Sequence, residues 1–116
     1  MAKYLITIHE DEREKSKAPQ ATLQQLWDDH NRFAEQISER GAVLISGEPL
    51  ETGPIMTVRD GVASDETLPE KAETLNGYYL IETADRQLAV ELTRMCPAPF
   101  GAVTLRPIWD MPEPGN

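Results

Sequence analysis

The sequence predicts an α+β domain in which two helices lie on one face of an antiparallel sheet. A helix-period stripe, a strand-rich remainder and an excess of apolar sheet faces point to this class. The segments follow the order β-α-β-β-(short β)-β-α-β. A split βαβ arrangement of ferredoxin-like type accommodates that order most simply.

The first strand is Lys3 to His9, KYLITIH, rich in β-branched and aromatic residues and apolar on both faces. Glu10 to Lys17 is dense in charge and reads as a solvated connection. The first helix is Ala21 to Gly41. Leu23, Leu26, Trp27, Phe33, Ala34 and Ile37 fall on one helical face, and His30 completes that stripe. Thr22 and Gln25 fit a capping box, and Gly41 suits the left-handed residue that ends a helix. Ala42 to Gly47 is the second strand, Glu48 to Pro54 a turn, and Ile55 to Arg59 the third strand. Asp60-Gly61 marks a tight turn into a short strand at Val62-Ala63. Ser64 to Thr74 is polar and carries Pro69, so it reads as a mobile loop. Leu75 to Glu82 is a further strand. Thr83 caps a second helix through about Cys96, which Pro97 stops, and Ala102 to Ile108 is the last strand. The domain thus covers residues 1–109, with a poorly ordered Pro- and Gly-bearing tail over 110–116.

Two helices cover only one sheet face. Tyr4, Ile6 and Ile8 alternate with Leu5 and Thr7, and Tyr78 and Leu80 alternate with Tyr79 and Ile81. The second apolar face needs a cover, and a second copy of the chain supplies one, so a homodimer is expected. A formal charge of −9 repels phosphate backbones and anionic bilayers, so neither nucleic acid nor a membrane surface is an expected partner. The apolar runs are too short to span a bilayer, and Met-Ala-Lys leads straight into a strand with no signal peptide. A single cysteine makes no internal disulfide. The expected location is the cytoplasm.

His30 is the foremost candidate for chemistry. An imidazole titrates near neutrality, and a half-buried one suits general acid or base work or a structural hydrogen bond to the backbone. His9, at the end of the first strand, is a candidate for the same pocket. Two histidines 21 positions apart with one distant cysteine match no metal-ligand spacing, so no metal is expected. Cys96 sits at a helix C-terminus, the wrong end to stabilise a thiolate, and reads as a small buried apolar residue. Neither a nucleophile elbow nor a phosphate-binding glycine loop is present, so no cofactor is expected.

Several blocks in sequence resemble the YCII-related superfamily, and within it the DGPF-domain group. They are WDDHNRFAEQISERG followed by AVLISGEPL, then TVRDG, ETLNGYYLI, MCP and LRPI. Where the group carries Asp-Gly-Pro-Phe, this chain has Asp65, Glu66, Thr67 and Leu68. Where the group has Glu-Thr-Lys-Glu, it has Glu70, Lys71, Ala72 and Glu73. The resemblance implies a dimeric α/β barrel with a pocket between helix and sheet into which His30 points. If the chain is an enzyme, His30 is the expected proton-transfer group and Asp65 its partner or orienter, with His9, Glu48 and Lys71 as candidate ligand contacts. The expectation is a protein with a small-molecule pocket, and a cofactor-independent lyase or isomerase step fits best because the sequence carries no nucleotide or metal motif. A chlorinated-hydroxyquinol dehydrochlorinase is one related activity. The alternative is a non-catalytic binding or regulatory module, since the DGPF group is associated with extracytoplasmic-function sigma factors.

Overall fold

The computed structural model describes residues 2–53, 55–66 and 73–111. The strands are β1 (Ala2–Asp11), β2 (Val43–Pro49), β3 (Ile55–Arg59), β4 (Val62–Glu66), β5 (Glu73–Thr83) and β6 (Gly101–Pro107). The helices are α1 (Glu12–Ser16), α2 (Gln20–Glu39) and α3 (Arg86–Met95). Four strands form one sheet in the order β2-β5-β1-β6, every neighbouring pair antiparallel. β5 separates β1 from β2, and β1 separates β5 from β6. That is the double split βαβ arrangement of a ferredoxin-like fold. β3 and β4 form their own hairpin, closed by Asp60 and Gly61, both with positive φ.

The core lies between this sheet and α2 and α3. Tyr4, Ile6 and Ile8 of β1 and Ile81 of β5 meet Phe33 and Ile37 of α2 and Ala89 and Leu92 of α3. Period-two alternation carries β1 one step further than expected, so Glu10 continues the buried row. The expected solvated connection over Glu10 to Lys17 is therefore corrected. Asp11 instead caps α1, accepting from the amides of Arg13 and Glu14, and Glu12 is buried.

Other expectations at the helix ends are also revised. α2 starts after Pro19 with no side-chain cap, so Thr22 and Gln25 lie inside the helix and form no capping box. Asp85, not Thr83, caps α3 by accepting from Gln87 and Leu88, while Thr83 Oγ1 accepts from the amide of Asp85. Ser64 to Glu66 belong to β4, and Glu73 and Thr74 to β5. The remainder of that expected loop, the Lys71 candidate and most of the expected C-terminal tail lie outside the described residues.

Among the described residues no helix covers the opposite sheet face. Leu5, Thr7 and His9 of β1 point there, as do their register partners Leu80 and Tyr78 of β5 and Thr104 of β6. The radius of gyration is 16.3 Å, against about 13 Å for a compact domain of this length. A separate hairpin with Met56, Val58 and Val62 exposed accounts for part of the excess. No helix among the described residues is long and apolar enough to cross a membrane.

Candidate functional site

A cleft of about 470 Å³ opens between α2 and the sheet. Its helix wall is Leu23, Leu26, Trp27, His30, Asn31 and Ala34, and its floor includes Ile8, Glu10, Gly47, Asn76, Gly77 and Tyr79. Lys15, on α1, closes one end. Trp27, expected in the core, is 56% exposed and stands on the cleft wall.

His30 is half-buried. Its Nδ1 lies 2.7 Å from the Tyr79 hydroxyl. Among the described residues no hydrogen bond reaches Nε2. The His30 and Tyr79 rings stack with centroids 5.9 Å apart and planes inclined by 19°. Phe33 meets Tyr79 edge-on at 5.0 Å. A Cβ on Gly47 would come within 2.8 Å of Tyr79 Cδ1. The absence of a side chain there is what lets the ring lie over β2. A register shift between Leu44 and Ser46 sets Gly47 opposite Tyr79.

Burial holds the His30 pKa below its ordinary value, against smaller opposing pulls from Glu10 and Asp29 and with a push from Lys15. The imidazole is therefore neutral at pH 7. Burial also raises the Tyr79 phenol well above its ordinary range, with Cys96 adding to the effect. Cys96 itself is pushed up to about 12, first by burial and then by Glu10. It is a buried thiol, as its helix-end position suggested.

The second polar group in the cleft is Glu10, which is 1% exposed. Its Oε1 accepts from Asn76 Nδ2 at 2.8 Å and from Lys15 Nζ at 3.3 Å, and its Oε2 accepts from the Phe100 amide at 3.1 Å. A second register shift, between Ile8 and His9, leaves Asn76 unmatched on β5 and turns it toward Glu10. Glu10, Lys15 and Asn76 were missed by sequence reasoning. The signal available for Glu10 was the Tyr4, Ile6, Ile8 alternation, which places it on the core side.

The sequence candidates separate. His30 and Glu48 line the cleft. Glu48 is exposed and pairs with Tyr78, so strand alternation sets it apart from Gly47 and Tyr79. His9 is not brought to His30. It lies on the helix-free face, where its Nε2 is 2.9 Å from Thr7 Oγ1, and Thr7 in turn bonds Thr104. The one-residue alternation that buries Ile8 forces this. Asp65 is not brought there either: it is exposed on β4, opposite Met56 in the hairpin, and takes no part in the cleft. The partner found for His30 within the chain is Tyr79, not Asp65. Among the described residues no group of three or more His, Cys, Asp or Glu side chains is placed to hold a metal ion.

A model of the YCII-related domain matches residues 2–112, nearly the whole chain. No curated protein matches it.

Proposed function

The chain belongs to the YCII-related family, and on that premise we propose that it binds a small molecule in the cleft between α2 and the sheet, with His30 as the group that exchanges a proton with it. One observation carries this reading. His30 is held through Nδ1 while Nε2, on a cleft-lining residue, has no partner among the described residues. Nε2 is open to solvent in the cleft: among the described residues the one buried side-chain polar atom without a partner is Thr74 Oγ1, so this nitrogen is free to meet a ligand. A neutral imidazole near its titration range also suits proton transfer. The experiment is a ligand-observed NMR screen of small aromatic fragments against the wild type and Ala34→Trp, which fills the cleft from its helix wall. Fragments should bind the wild type and be lost in the variant. Identical binding to both proteins would place the ligand elsewhere.

A non-catalytic binding module of DGPF type is the second reading. It is favoured by Asp65, which lies on the hairpin and takes no part in the cleft that His30 lines. Deuterium exchange into a bound fragment at the His30 site would decide for chemistry.

The proposal includes a cytoplasmic homodimer of the dimeric α/β barrel kind, its sheets packed through the face that carries Leu5, Tyr78 and Leu80. Burying each such side chain is worth about 1.5–3 kcal/mol before ordering costs. Sedimentation equilibrium at micromolar concentration should give the dimer mass; a stable folded monomer would contradict it.

A further inference from the structure

We infer that Tyr79 fixes His30 as an Nε2–H donor, so that the cleft takes a flat apolar ligand presenting an acceptor oxygen, a carboxylate or a carbonyl, and not an amine. This rests on the cleft being a binding site, as proposed above.

The direction of the 2.7 Å hydrogen bond between Tyr79 Oη and His30 Nδ1 is the starting point. An imidazole nitrogen is a far stronger base than a phenol oxygen, and a phenol is a stronger acid than a neutral imidazole N–H. The bond is therefore O–H···N, with Tyr79 donating and Nδ1 accepting. Burial keeps the phenol protonated, which agrees with that direction. A neutral imidazole that accepts at Nδ1 carries its proton on Nε2. The tyrosine has little freedom to do otherwise. Phe33 abuts its ring edge-on, His30 stacks along it, and Gly47 leaves room for it in one place.

The charged side chains lining the cleft are Lys15, Glu10 and Glu48. Lys15 is a second donor on the lining, and its ammonium already pairs with Glu10 at 3.3 Å. Both oxygens of the buried Glu10 carboxylate already accept from protein donors. Glu48 is exposed and alternates away from Tyr79. A polar end seated at His30 therefore meets the Nε2–H donor, while Leu23, Leu26, Trp27 and Leu44 receive the ligand's body.

Two measurements test this, and they fail separately. In the ligand-free, ¹⁵N-labelled protein, long-range ¹H–¹⁵N correlations should show His30 as the Nε2–H tautomer, and Tyr79→Phe should move it toward a mixture. Finding the proton on Nδ1 overturns the inference whatever the cleft binds. For the ligand class, 2-naphthoate and 2-naphthylmethylammonium are titrated in a Trp109→Phe background, which leaves Trp27 as the fluorescent reporter. The naphthoate should bind about tenfold or more tightly than the ammonium, the scale of one charge-assisted hydrogen bond. Tyr79→Phe, which keeps the ring, should reduce that preference. Equal binding, or tighter binding of the ammonium, overturns the ligand class while leaving the cleft as a binding site. Failure of both probes to change Trp27 emission overturns the ligand class together with the binding reading, and the tautomer then stands or falls on the NMR alone.

Discussion

Phe33→Ala should lower the unfolding free energy by about 3–5 kcal/mol. Phe33 is 1% exposed and is the largest fully buried side chain of the core. It faces β1 and β5 from the middle of α2 and supports the edge of Tyr79. Removing its ring deletes apolar burial and leaves a cavity between a helix and a sheet, neither of which collapses freely. With domain stabilities of about 5–15 kcal/mol, a loss of that size is a large fraction of the total and brings a domain at the lower end of that range near half-unfolding. Urea denaturation of the variant against the wild type reads the difference. A loss under about 1 kcal/mol would show that α2 is not anchored on the sheet through this residue.

Glu10→Ala should cost roughly 2–4 kcal/mol, the scale of leaving buried hydrogen-bonding groups without a partner. The substitution strands the Asn76 amide and the Phe100 N–H and frees the Lys15 ammonium. Lys15 is partly exposed and recovers water, so the loss falls mainly on the other two groups. Glu10 ties three separate segments together: the end of β1, the bulge of β5 and the turn into β6. Glu10→Gln, which keeps the shape and one acceptor, should cost less than Glu10→Ala in the same urea measurement. Equal stability of Glu10→Ala and the wild type would mean that the network contributes nothing to the fold.

The helix and sheet were legible because their periods are written in large apolar residues. Leu26, Phe33 and Ile37 mark α2, and Tyr4, Ile6 and Ile8 mark β1, and each set is buried as its spacing requires. Glu10 was not legible, since a charged residue in a run of charged residues reads as solvent-facing. Only the continuation of the β1 alternation gives it away. His30 was legible as the polar member of an apolar stripe, but its partner was not. Tyr79 is 49 positions distant, and its approach depends on a bulge in β2 and on Gly47; a glycine inside a strand hints at a close approach but does not say which residue makes it. Asp65 was drawn to His30 by family pattern, whereas the pairing of β3 with β4 holds it on the separate hairpin. His9 was misplaced for a simpler reason: it is one residue from Ile8, and alternation puts neighbours on opposite faces.

The most direct test of the cleft reading is thermal unfolding of His30→Ala, with and without a fragment that binds the wild type. Without ligand the variant should melt within a few degrees of the wild type, since it gives up one half-buried hydrogen bond worth about 1 kcal/mol. The rise in melting temperature that the fragment gives the wild type should be lost. A large drop in stability without ligand, together with an undiminished rise when the fragment is added, would contradict the account and make His30 a residue of the fold alone.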